Sequence, residues 1–70
     1  MVNYEVNIYS HNSNEYMCID NYFGTYEKAE KNYLKLRKTL RKGEEITLYE
    51  RELDKNGDEV DNKVILFDFL

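Results

Sequence analysis

The chain has 70 residues, a mass of 8.5 kDa and a formal net charge of −4, which allows one small domain, residues 1–70, and no more. It contains no run of about 18 apolar residues to span a membrane, and Met1-Val2-Asn3-Tyr4-Glu5 lacks the basic start and apolar stretch of a signal peptide. A chain this short also has little room for both a core and a deep catalytic pocket.

The N-terminal stretch alternates, with Val2, Tyr4, Val6 and Ile8 on one face and Asn3, Glu5, Asn7 and Tyr9 on the other. That pattern predicts a half-buried strand. The turn formers Ser10-His11-Asn12-Ser13-Asn14 reverse the chain. A second strand is expected from Glu15 to Tyr22, with Met17, Ile19 and Phe23 competing against Tyr16, Cys18 and Tyr22 for the core. The single Cys18 has no internal disulfide partner, and a secreted chain of this size would need several bridges, so a reducing cytoplasm is expected. Cys18 reads as a small half-buried hydrophobe and His11 as an exposed loop residue. With one of each and no Cys-x-x-Cys or His-x-x-x-His spacing, neither a metal site nor a cofactor is expected.

Thr25 announces a helix, since its hydroxyl can accept from the free N–H groups of the first turn, where Glu27 suits the dipole. Tyr26, Ala29, Tyr33, Leu36 and Leu40 form one narrow apolar stripe. Lys28, Lys31, Lys35, Lys38 and Lys42 point away from it. Gly43 occupies the place of a C-terminal cap. Two more strands follow, Glu45 to Leu53 and Val60 to Phe69, joined by a turn carrying Asn56-Gly57. A two-residue turn there sets Lys55 opposite Asp58, Leu53 opposite Val60, Glu50 opposite Lys63, Tyr49 opposite Val64 and Leu48 opposite Ile65. The fold class is α+β in the order β-β-α-β-β, one antiparallel or mixed four-stranded sheet with a single helix packed on one face.

The charge is divided. Residues 1–24 carry −3, residues 25–43 carry +5 and residues 44–70 carry −6. A basic helix therefore sits on an acidic sheet. Glu50, Glu52, Asp54, Asp58, Glu59 and Asp61 crowd the distal hairpin, with Glu52 facing Asp61 and Asp54 facing Glu59, like-charge pairs that oppose folding slightly. Such a row can keep the chain soluble or meet a cationic surface, as nucleic-acid phosphates would. The lysine face offers the opposite partner, nucleic acid, although few stacking groups lie beside it. Asp54-x-Asn56-x-Asp58 begins like a calcium loop, but Glu59 stands where that loop needs glycine and Ile65 where it closes with Glu.

The C-terminal hairpin is apolar on both sides: Ile46, Leu48, Ile65, Phe67 and Phe69 on one, Tyr49, Leu53, Val60, Val64 and Leu66 on the other. One helix covers one face of a small sheet, which leaves the second set to solvent, a partner protein or a second copy. No Ser/His/Asp set, phosphate-cradling glycine loop or buried carboxylate pair appears, so no enzyme is expected.

The Pro-free composition rich in Asn, Lys, Tyr and Glu, and the segment Thr25-Tyr26-Glu27-Lys28-Ala29-Glu30 leading to Leu48-Tyr49-Glu50, resemble the short accessory proteins encoded by phages and prophages of AT-rich Gram-positive bacteria. The resemblance implies a type of function and no individual residue: a small acidic non-enzymatic protein that binds and blocks a host factor, nucleases included. The acidic hairpin and the uncovered sheet face point to a host or phage protein with a basic surface as the partner; the alternatives are a nucleic-acid binder using the lysine face and a structural or assembly subunit.

Overall fold

The computed structural model describes residues 1–17 and 21–70. Its elements are β1 (Val2–Ser10), β2 (Glu15–Tyr16), β3 (Tyr22–Phe23), α1 (Tyr26–Arg37), β4 (Glu44–Leu53) and β5 (Glu59–Phe69). The strands form one antiparallel sheet in the order β2-β1-β4-β5, with β3 also paired to β1. The α+β class with a single helix is the fold this sequence adopts.

The alternation of β1 places Val6 and Ile8 under the helix, opposite Leu48 and Ile46 of β4. These four join Ala29 and Tyr33 in the buried core, and Tyr4, Phe23, Tyr26, Leu36, Leu40, Ile65 and Leu66 pack around it. The expected second strand is instead two short fragments. Tyr9 pairs with Tyr16 and Tyr4 with Phe23, so the fragments are two residues out of register with each other along β1. The expectations for Cys18 and Ile19 lie outside the described residues.

The helix starts as expected, with Thr25 Oγ1 accepting from Lys28 N at 3.4 Å. It ends at Arg37, sooner than Gly43 suggested. The Thr39 hydroxyl and backbone N–H both donate to Leu36 O, at 2.7 and 2.9 Å, and so occupy a carbonyl of the last turn. Leu40 still reaches the core from beyond the helix. Gly43, at φ +88°, serves the turn into β4, where Glu44 N donates to Arg41 O at 3.0 Å. A type II turn demands that conformation of its third residue.

Two corrections concern the distal hairpin. The turn is a three-residue loop rather than Asn56-Gly57 alone: Gly57 N donates to Asp54 O and Asp54 N to Asp58 O. Only Gly57 (φ +86°) is left-handed, whereas a two-residue turn of the Asn-Gly type needs a positive φ at both positions. Asp54 favours this loop because its Oδ1 accepts from Asn56 N at 2.8 Å and Asp58 N at 3.0 Å. Asp54 therefore opposes Asp58, not Glu59.

The expected register holds from Tyr49–Val64 to Glu52–Asp61 and shifts outside that stretch. One irregularity makes Val60 an extra residue and sets Leu53 opposite Glu59. The other makes Ile65 extra and sets Leu48 opposite Leu66. An extra residue moves every later side chain to the other face. Leu66, expected on the uncovered face, accordingly packs toward the core, whereas Phe67 and Phe69 turn outward beside Thr47 and Glu45.

Candidate protein-docking surface

Strand pairing orders the helix-free face into rows. One row runs Tyr22, Glu5, Tyr49, Val64; another runs Tyr16, Tyr9, Glu45, Phe69. Between them lie Asn7, Thr47 and Phe67, and beyond the first lie Asn3, Arg51 and Asn62. The rings make edge-on contacts along the second row: Tyr9 with Tyr16 at 5.1 Å, Tyr9 with His11 at 4.9 Å and His11 with Phe69 at 5.5 Å between centroids. His11 Nε2 lies 3.4 Å from Glu45 Oε1. The histidine is exposed, as read from the sequence, and built into this aromatic row.

Arg51 organises the other end. Its Nε donates to Glu59 Oε1 at 2.7 Å, an Nη donates to Asn3 Oδ1 at 3.3 Å, and its guanidinium lies 4.7 Å from the centroid of the Tyr22 ring. The hydrogen bond from Arg51 holds the Glu59 carboxyl below the usual carboxylate range, helped by Asn62, and in return raises the Arg51 pKa. Burial raises the Tyr49 hydroxyl, against a hydrogen bond with Thr47 that lowers it. Glu5, Asn7, Tyr16, Tyr49, Arg51, Glu59 and Asn62 together line a shallow polar depression of about 430 Å³.

The six hairpin carboxylates do not form one row. Glu59 turns to Arg51 on the helix-free face, and Asp54 is held by the loop it shapes. Glu50, Glu52 and Asp61 point to the helix side, Glu50 lying 3.8 Å from Lys63 Nζ. Glu52 and Asp61 face each other as expected, and Asp58 and Glu59 are exposed near the tip. Of the apolar set assigned to the uncovered face, Tyr49 and Val64 lie there, the latter 55% exposed. Leu53 is half-buried, Val60 is the exposed extra residue of its bulge, and Leu66 belongs to the core side. Lys28, Lys31, Lys35 and Lys38 are exposed at the helix, but Lys42 sits in the following turn, where its carbonyl accepts from Asn12 Nδ2 at 2.9 Å.

Sequence reasoning missed Phe67 and Phe69 as groups of this face, missed the contacts of the exposed His11 with Tyr9 and Phe69, and left Tyr16 and Tyr22 unplaced. Pairing of the first hairpin through Tyr9 and Tyr16 was the legible signal for one of these; the bulge that turns Phe67 outward has no glycine to mark it. Among the described residues no His, Cys, Asp and Glu side chains gather as a metal-holding group, and no helix is long and apolar enough to cross a membrane. The chain matches no protein-family model, and no curated protein or solved structure is similar to it at a significant level.

Proposed function

We propose that the chain is a non-enzymatic protein-binding module that docks the basic surface of a partner on its helix-free sheet face. This is the inhibitor or modulator type of function implied by the resemblance to phage accessory proteins. One observation carries the reading: Tyr9, Tyr16, Tyr22 and Tyr49 lie in rows with Glu5 and Glu45, and Arg51, the one cation of that face among the described residues, is already engaged by Glu59. Aromatic faces and carboxylates together suit Lys and Arg side chains. They repel phosphate, which needs clustered cations. Tyr and Phe also present large rigid contact area at low entropic cost, the composition favoured at interfaces.

The experiment compares the wild-type chain, Glu5→Lys/Glu45→Lys and Glu52→Lys/Asp61→Lys as immobilised baits for a lysate of the source cells, with mass spectrometry of what is retained. The expected result is a basic-surfaced protein held by the wild type and lost on the Glu5/Glu45 variant. Equal retention by those two overturns the reading. A gel shift near 50 mM salt that disappears in Lys28→Glu/Lys35→Glu assigns function to the helix and nucleic acid instead.

A further inference from the structure

We propose that β5 is a dimer seam, two copies of the chain pairing antiparallel along its free edge. In the strand order β2-β1-β4-β5 the outer edge of β1 is met by the short fragments β2 and β3, whereas β5 presents an eleven-residue edge. Native proteins blunt such edges with charge, proline, bulges or cover, and β5 has bulges at Val60 and Ile65 and charges at Asp61, Lys63 and Asp68. The run Val64-Ile65-Leu66-Phe67 has neither charge nor proline, and Val64, Phe67 and Phe69 are 55%, 53% and 59% exposed.

The edge is complementary to itself in one register. Leu70 N donates to Glu44 O, so by antiparallel alternation Phe69 and Phe67 direct their N–H and C=O groups away from β4. The extra residue Ile65 resets the alternation, and Val64 and Asn62 also direct theirs outward, the Asn62 N–H onto the exposed Asp61 Oδ1 at 2.9 Å, which must swing aside for the second copy. A two-fold axis between Ile65 and Leu66 then sets Val64 opposite Phe67 of the second copy and Asn62 opposite its Phe69, each with backbone groups facing. It also sets Lys63 opposite Asp68, an attraction made twice by symmetry. In an unbulged strand this offset would join side chains on opposite faces of the sheet. The bulge at Ile65 brings each pair onto one face, so the irregularity selects the register. Moving the axis one residue toward Lys63 sets Asp61 against Asp68. Both pairing charges are accessible: Lys63 lies a loose 3.8 Å from Glu50, and Asp68, which holds Tyr33 and Arg37, keeps 37% of its side chain exposed.

Sedimentation equilibrium of the full chain over a wide concentration series tests the seam. The expected mass rises reversibly from 8.5 kDa toward twice that value. Val64→Lys and Phe67→Lys, at exposed positions, are each expected to remain monomeric with an unchanged circular dichroism spectrum, so either variant reads the result if the other fails to fold. In a Cys18→Ser background, an oxidised mixture of Val64→Cys and Phe67→Cys chains is expected to cross-link well above either alone, since directly opposed residues lie about 5.5 Å apart at Cα, within disulfide reach. A monomer at every concentration leaves the edge to a foreign strand and overturns the proposal, as does a dimer that survives both lysine variants. Preferential linking of identical positions overturns the register.

Discussion

The two faces of this sheet are built by alternate residues of the same strands, yet they hold together by different physics. Under the helix, Val6, Ile46 and Leu48 are wholly buried and the stabilising term is apolar area removed from water. On the other face, Glu5, Tyr49, Arg51 and Glu59 meet as polar and aromatic neighbours that stay partly wet. The covered face sets whether the chain folds. The open face removes less apolar area from water and carries less of that burden.

The sharpest way to break this contrast is a matched pair of truncations. Leu48→Ala is expected to cost about 3 kcal/mol, which is most of the stability available to a domain of this size. Val64→Ala, exposed on the open face, should cost less than about 0.5 kcal/mol. Urea unfolding at fixed pH, at a protein concentration low enough that the chain is a single copy and Val64 meets no second β5, measures both. A similar cost for the two would show that the open face also carries the fold.

A smaller effect comes from the polar tie beneath the helix. The Tyr33 hydroxyl donates to Asp68 Oδ2 at 2.5 Å, and Arg37 Nε approaches the same oxygen at 3.3 Å, fastening α1 to β5. Tyr33→Phe removes that bond and is expected to cost about 1.5 kcal/mol in urea unfolding. Burial first, and the Asp68 hydrogen bond second, hold the Tyr33 hydroxyl well above its ordinary pKa of 10.0. The folded state thus keeps its proton where the unfolded chain releases it, so this contribution is complete below pH 10 and is lost as pH rises toward the folded value. Tyr33→Phe should flatten that alkaline loss in a stability–pH series. Part of the slope remains, because Tyr26 and Tyr49 are also raised.

The smallest effect belongs to the open face. The depressed Glu59 carboxyl contributes stability above its ordinary pKa of 4.5 and loses it as pH falls through the folded value. Glu59→Gln is expected to lower neutral stability slightly, as befits an exposed pair, and to flatten the acid limb of the same series by the same small amount. A large loss at neutral pH would mean that the Arg51 cluster, exposed as it is, holds the sheet together.

Much of the fold was legible because it rests on periodicity. The alternation of β1, the stripe from Tyr26 to Leu40 and the Thr25 cap each state a local preference that tertiary packing also favours. The division of the tyrosines followed from the same patterns: Tyr4, Tyr26 and Tyr33 lie on the helix side, Tyr9 and Tyr49 on the open side. What failed to show was register. Nothing in Val64-Ile65-Leu66-Phe67 announces which residue is extra, because a bulge is chosen by how the strand must curve against its neighbour. Its effect on the candidate site is large, since it exchanges Leu66 for Phe67 and Phe69 on the open face. The helix end was hidden for a related reason: Gly43 looked like a cap, but the Thr39 hydroxyl closed the helix first. Charge grouping along the chain likewise misled, as neighbours in sequence such as Glu59 and Asp61 go to opposite sides of the sheet.

The pairing of β1 with β4 also bears on how fast the chain can reach this state. Tyr4 lies opposite Glu50 and Val6 opposite Leu48, so the central ladder joins segments that the helix and both hairpin turns separate or flank. Closing that long loop costs entropy before any of its contacts form, whereas the β4–β5 hairpin closes over three residues. Local hairpin closure is intrinsically rapid and the meeting of β1 with β4 is the slow search. Until β1 arrives, Ile46 and Leu48 have one fewer strand to shelter them. For a chain of this size, the time spent waiting for its first strand is the interval in which its most apolar residues are open to whatever else is near.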